Sequence, residues 1–163
     1  MSGLDSVVGL VAWLALCFGA AAVGARFRPG PWYAALRKPA WNPPAWIFAP
    51  VWTALYALMA VAAWLVWREP GTAAVLALFV VQLALNAAWT WLFFGLRRPG
   101  LALVEIVVLW LAIAATAIAF RAVVPPAGLL LLPYLAWVAF ATALNASLWK
   151  RNRAPVEPRG ARD

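Results

Sequence analysis

The chain has 163 residues, of which 67% are hydrophobic and 11% charged, and its formal net charge is +8. A soluble domain carries roughly 45–50% apolar and about 25% charged residues, and one with this composition would leave a large apolar surface in water and associate. A water-soluble globule is therefore excluded. The basic residues fall between apolar runs, so the charge reads as membrane topology and no nucleic-acid partner is expected.

Five long runs hold almost no charge: Asp5 to Arg26, Lys38 to Arg68, Glu69 to Arg97, Arg98 to Arg121 (broken by Glu105 alone) and Arg121 to Lys150. About 20 apolar residues suffice for a helix to cross the hydrocarbon core. The predicted spans are Val7–Ala25, Ala45–Trp67, Ala73–Phe94, Leu101–Phe120 and Leu129–Trp149. The runs are continuously apolar, whereas barrel strands are short and alternate, and a helix closes its own backbone hydrogen bonds in lipid. The fold class is thus all-α: a polytopic membrane protein with a five-transmembrane-helix bundle. Residues 1–151 are assigned to that one domain and residues 152–163 to a disordered basic tail.

The first span holds the single cysteine, Cys17, read as a packing residue. The span lacks a cleavage-site pattern and is read as retained. The first loop, Arg26–Pro44, is long for a helix–helix link and carries Pro29, Pro31, Pro39, Pro43 and Pro44. Proline fixes φ and restrains its predecessor, so the loop should be stiff. With Trp32, Tyr33, Trp41 and Trp46 in or beside it, the loop reads equally as a lid over a pocket or as an interfacial aromatic belt. The remaining connections, Trp67–Thr72, Gly95–Gly100 and Arg121–Gly128, are short and make successive helices antiparallel neighbours.

Within the third span, Gln82, Asn86 and Thr90 share a face at four-residue spacing. Polar groups in hydrocarbon must face protein or a cavity. For Gln82, and for Asn145 in the fifth span, interhelical hydrogen bonding is the favoured reading. For Asn86 that reading and a pocket role stand level. Glu105 is expected to reach Arg97 or Arg98, and Pro133 to kink the fifth span. The spacings Ala20/Gly24 and Ala84/Ala88 allow close helix approach within the chain or across a homodimer.

Arg26, Arg28, Arg37, Lys38, Arg97, Arg98 and the C-terminal cations from Lys150 onward fall on one side of the bundle, against Arg68 and Arg121 on the other. The positive-inside rule then places the N-terminus out and the C-terminus in. There is no histidine, and no phosphate loop, zinc spacing or hydrolytic triad can be assembled, so no metal, cofactor or acid–base catalytic residue is expected. The prominent functional material is 12 tryptophans. Several facing one cavity suit a planar apolar ligand, and Trp41, Trp46, Trp52, Trp89 and Trp137 are the candidates. Trp13, Trp64 and Trp110 are read as lipid-facing or packing.

Three blocks carry a family resemblance: Trp32–Tyr56 (WYAALRKPAWNPPAWIFAPVWTALY), Gln82–Gly95 (QLALNAAWTWLFFG) and Pro133–Asn145 (PYLAWVAFATALN). In this order they resemble the translocator protein family, TspO/MBR, also called the peripheral benzodiazepine receptor family. The resemblance implies five helices and a pocket between them, closed by the first loop, that binds porphyrins such as protoporphyrin IX and other apolar aromatic ligands. By motif, the pocket residues are Trp41, Ala49, Trp52, Asn86, Trp89, Trp137, Ala141 and Leu144. Trp52 and Trp137 resemble tryptophans proposed to act in light-dependent porphyrin breakdown. The family's cholesterol motif is broken, with Ala146 where a tyrosine would stand, and Leu101 replaces a pocket tryptophan of animal members. Sterol binding is therefore not expected. The Ala- and Arg-rich composition suits a member in a bacterial cell membrane. The expected function is a receptor or sensor for tetrapyrroles, with a porphyrin-degrading enzyme or a transporter of tetrapyrroles or lipid-like molecules as the alternatives.

Overall fold

The computed structural model describes residues 3–153, so most of the expected tail, 152–163, lies outside the described residues. The helices are α1 (Gly3–Gly24), α2 (Pro31–Ala35), α3 (Ala45–Trp67), α4 (Ala73–Thr90), α5 (Pro99–Val123), α6 (Pro125–Leu130) and α7 (Leu132–Asn152), and α4 continues into a π-helical turn, Trp91–Gly95. No strand occurs among the described residues. Five helical stretches, Gly3–Gly24, Ala45–Trp67, Ala73–Gly95, Pro99–Val123 and Pro125–Asn152, are long and apolar enough to cross a membrane. At 1.5 Å per residue the shortest spans about 33 Å, against a hydrocarbon core of about 30 Å. The chain is a five-helix polytopic membrane protein.

Prolines set most of the helix starts, because the first helical turn needs no N–H donor there. Pro31, Pro99, Pro125 and Pro133 each stand in the first turn of a helix. This corrects the fourth connection: residues 121–128 are not a loop. α5 runs to Val123, and after Val124 alone the chain re-enters a helix at Pro125. The bend expected from Pro133 appears as a full break at Leu131, between α6 and α7.

α1 packs on α3 and α4, α5 on α4 and α7, and α3 on α6. At the end of the bundle away from the first loop the backbones approach closely. A Cβ on Gly128 would lie 2.5 Å from Arg121 Cβ and 2.6 Å from the Ala117 carbonyl, and one on Gly9 would overlap the Trp67 ring. Met59, Ala60, Ala62, Ala63 and Val66 of α3 are fully buried. Gly24 faces Thr90, so that small residue serves packing within the chain.

Trp64 and Trp110 are packing residues that tie helices together. The Trp64 indole N–H donates to the Ser6 carbonyl at 2.8 Å, and that of Trp110 to the Leu135 carbonyl at 3.2 Å. Trp13 lies edge-on to the buried Phe79. At the loop end a second, smaller core forms around Phe93, Ala102, Leu144 and Leu148, and it is lined by Trp32, Tyr33, Phe48, Trp89 and Phe140.

Candidate functional site: an aromatic wall beneath the first loop

α3 and α7 approach each other mainly through rings. One row runs from Trp41 to Phe140 at 5.7 Å between centroids, from Phe140 to Trp137 at 5.5 Å and from Trp137 to Phe48 at 5.9 Å. Deeper, Trp52 lies against Tyr56 at 5.6 Å and Tyr134 at 6.2 Å. Below those rings Tyr56 donates its hydroxyl proton to Asn86 Oδ1 at 2.8 Å, and Asn86 Nδ2 donates to the Tyr134 oxygen at 2.7 Å. Asn86 is 6% exposed and Tyr134 is fully buried, so α3, α4 and α7 are joined by a paired polar bridge inside the bundle. An unpaired group there would cost about 1–3 kcal/mol, which is why the amide and the two phenols sit together.

A third group stands toward α5. Trp89 stacks on Phe93 at 5.3 Å and donates its N–H to Asn145 Oδ1 at 3.1 Å. Asn145 Nδ2 donates in turn to the Pro99 carbonyl at 2.7 Å. Asn145 is thus interhelical glue, as expected.

Gln82 is not. It is 1% exposed, and neither its amide oxygen nor its nitrogen has a hydrogen-bond partner. Asn86, one turn along α4, is the amide that meets the two phenols. Glu105 does not reach Arg97 or Arg98. It stands with Ala102, Ile106 and Leu109 on the face of α5 turned into the bundle, and both its oxygens are buried without a partner. The two arginines are exposed, and Arg97 has left-handed backbone (φ 55°) in the α4–α5 connection.

The first loop lies over the smaller core. Trp32 and Tyr33 of α2 meet Phe93 edge-on at 5.9 and 6.3 Å. The Tyr33 hydroxyl donates to Asn42 Oδ1 at 3.3 Å, and Asn42 Nδ2 donates to the Pro43 carbonyl. Burial raises the Tyr33 pKa, which keeps this donor protonated. Lys38 Nζ donates to the Ala34 carbonyl at 2.9 Å and sits 4.8 Å from the Tyr33 ring centroid. The loop is clasped to the end of α7: the Arg37 amide donates to Asn152 Oδ1 at 2.9 Å, and Asn152 Nδ2 donates to the Arg37 carbonyl at 3.1 Å. The rings of the loop divide between two surroundings. Trp32 and Tyr33 turn inward onto the loop-end core, Trp41 is half-exposed on Phe140, and Trp46 is 73% exposed.

Of the expected pocket residues, Trp41 and Trp137 meet through Phe140, and Trp52 and Asn86 through the two tyrosines. Trp89 and Leu144 belong to the loop-end core. Ala141 packs at the edge of the larger core. Ala49 is exposed. The Trp137 indole N–H is buried with no protein acceptor, a donor available to anything lodged against the wall. An open groove of about 650 Å³ lies elsewhere, lined by Asp5, Gly9, Trp13 and Leu16 of α1 and by Trp67. Sequence reasoning missed Tyr56, Tyr134, Phe48 and Phe140. Tyr56 stands one turn from Trp52, and Tyr134 and Phe140 each three residues from Trp137, so helical spacing from the chosen tryptophans was the signal that finds three of them.

Residues 10–150 match the model of the TspO/MBR family. The translocator protein of Homo sapiens is 47% identical over 138 residues, covering 80% of this chain and 82% of that protein. The tryptophan-rich sensory protein of Cereibacter sphaeroides is 44% identical over 140 residues, covering 86% and 89%. The tryptophan-rich protein TspO of Chlorobaculum tepidum is 41% identical over 153 residues, covering 90% and 97%.

Proposed function

The chain belongs to the TspO/MBR family, and from that premise we propose that this integral membrane protein is a receptor for planar apolar ligands of the tetrapyrrole class, protoporphyrin IX among them. The observation that carries the reading is the row Trp41–Phe140–Trp137–Phe48, which joins the first loop to the α3–α7 seam. Flat rings offer dispersion to a flat ligand without demanding hydrogen bonds, and the unpartnered Trp137 N–H supplies one orienting donor. Rings of neighbouring helices can turn or separate more readily than touching backbones, so the wall can open where the far end of the bundle cannot. The proposed binding residues are Trp41, Trp52, Asn86, Trp89, Trp137, Ala141 and Leu144, with Phe48 and Phe140 added; Ala49 requires the ligand to reach the outer face of α3. The name of the Cereibacter relative, a sensory protein, agrees with a receptor.

The test is a dark titration of detergent-purified protein with protoporphyrin IX, read by tryptophan quenching. Saturable quenching, weakened in Trp137→Leu and in Trp41→Ala, is expected. Linear quenching equal in all three proteins means partition into detergent and removes the tetrapyrrole reading. Illumination then separates receptor from enzyme: light-dependent spectral change that vanishes in Trp52→Phe and Trp137→Phe, with binding kept, would favour the enzyme.

The orientation, N-terminus out, is part of this proposal. In whole cells an impermeant thiol reagent should label Arg68→Cys and spare Arg98→Cys; the reverse pattern inverts the topology.

A further inference from the structure

α1 is the span that the protein itself buries least. Its buried residues are Gly9, Cys17 and Gly24, and 17% of its apolar window lies inside the bundle, against 22% to 39% for the other spans. One flank of it is concave. The open groove of about 650 Å³ runs along α1 from Asp5 past Gly9 and Ala12 to Leu16, with Trp67 of α3 as a wall. Small residues make the trough: the Trp67 ring lies over Gly9, where a Cβ would overlap it. Val8, Ala12 and Leu16, at four-residue steps, form an exposed apolar bed. From Asp5 to Leu16 is about 16 Å at 1.5 Å per residue, against about 15 Å for half of a hydrocarbon core. The groove therefore has the depth of one leaflet.

The head of the groove carries both signs of charge. The Trp64 N–H bond to the Ser6 carbonyl holds the end of α3 against the first turns of α1. The Arg68 guanidinium sits 4.9 Å from the Trp64 ring centroid, so a cation is fixed beside those turns. Asp5, one residue before Ser6, lines the groove there, and Glu69 follows Arg68. Of the described carboxylates, Glu105 turns its oxygens into the bundle, and the other two gather at this end. An anionic headgroup would meet them as like charges. A headgroup with a phosphate and an ammonium would find an opposite charge for each.

We infer that the α1 groove holds one zwitterionic phospholipid, with an acyl chain along Gly9, Ala12 and Leu16 beside Trp67, its phosphate at Arg68 and its ammonium at Asp5. The site stands at the other end of the bundle from the aromatic wall and does not depend on the receptor reading. A lipid-facing helix asks only for apolar residues. It does not ask for a trough one leaflet deep, nor for a cation stacked on a ring at its head. Arginine suits the phosphate because its planar fork meets two oxygens at once. The bound chain fills the notch beside Gly9 and so supports α1 against α3.

The test titrates the full chain, in a non-ionic detergent, with phosphatidylethanolamine and with phosphatidylglycerol of the same acyl chains. Native mass spectrometry counts the lipids retained, and the thermal midpoint reports on the bundle. One phosphatidylethanolamine should be retained, on the order of fivefold more tightly than phosphatidylglycerol. It should also raise the midpoint, as a ligand of the folded state does. Asp5→Asn and Arg68→Gln should each weaken its retention severalfold. Ala12→Phe fills the trough and should abolish it, whereas Val104→Phe, on an exposed face of α5, should leave it intact. Equal retention of the two lipids by the wild type would overturn the proposal. So would a lipid still retained in Ala12→Phe. Retention unchanged in both Asp5→Asn and Arg68→Gln, which alter exposed side chains alone, would overturn it even if Ala12→Phe failed to fold. A dimer that Ala12→Phe converts to a monomer would make a second copy of this chain the occupant and remove the lipid.

Discussion

The two ends of the bundle are closed by different materials. Away from the first loop the tightest approaches are at small residues: Gly128 lies against Arg121 and the Ala117 carbonyl, Gly9 lies beneath the Trp67 ring, and Ala60, Ala62 and Ala63 of α3 are fully buried in one core with the stacked rings of Phe79 and Phe120. At the loop end α3, α4 and α7 meet through the large rings of Phe48, Trp52, Trp89, Phe93, Trp137 and Phe140. Small residues fix an interhelical distance, because there is nothing between the backbones to move. Large rings fill a distance, and they can repack around something inserted among them. One end is thus a hinge-free base and the other an adjustable mouth, with the Tyr56–Asn86–Tyr134 bridge at their boundary.

The strongest way to break this comparison is to put volume into the base. Gly128→Ala places a methyl group 2.6 Å from a backbone oxygen that cannot step aside. It should destabilise the protein by about 3 kcal/mol, the upper range for overpacking, read as a lowered thermal midpoint in detergent. An unchanged midpoint would mean that the α5–α6 junction yields as easily as the mouth. Next comes the boundary, where α4 carries two amides one turn apart. Asn86→Leu strands two buried phenols and should cost about 2 kcal/mol. Gln82→Leu removes two groups that have no partner and should raise stability by about 1 kcal/mol. The same substitution with opposite signs on one helix face would locate the polar bridge; equal losses would show that Gln82 is satisfied in solution.

A smaller effect is expected at the mouth. Asn152→Ala removes both bonds to Arg37 and should speed ligand dissociation about three- to fivefold while the thermal midpoint holds. A lowered midpoint at constant dissociation rate would make the clasp part of the base. The smallest effect is that of pH. Burial raises the Tyr33 pKa, so the neutral phenol is favoured in the folded protein. Its stabilising share is complete below the unfolded value of about 10 and is lost only as pH rises above that. Between pH 6 and 9 the loop should not loosen through Tyr33, as proteolysis of the first loop across that range can check.

How legible all this was in the sequence follows from the same physics. The five spans were plain because lipid demands long charge-free runs, and those runs begin and end within a few residues of the helices observed. The fourth connection was misread because Pro125 and Pro126 look like a loop when they in fact begin a helix. Asn145 and Gln82 were given one role, yet only Asn145 found a partner. Pairing depends on what a neighbouring helix presents, and a single sequence does not contain interhelical register. Glu105 illustrates the same limit, since helical phase turns it inward and away from the arginines just before it. The tryptophans of the aromatic wall stood out in the sequence, while the phenylalanines and tyrosines that link them were marked only by their helical spacing from those tryptophans.

The clasp between Arg37 and Asn152 joins positions 115 residues apart. In biosynthetic terms the cover over the loop-end core cannot fasten until the last helix has been inserted. While the ribosome is still delivering α4 and α5, Trp32, Tyr33 and Trp41 must wait at the membrane surface without Phe93, then without Phe140. Fastening of the first loop therefore reports that the whole bundle has been assembled, and a nascent chain halted before α7 would present those rings, unfastened, to the membrane's quality-control machinery.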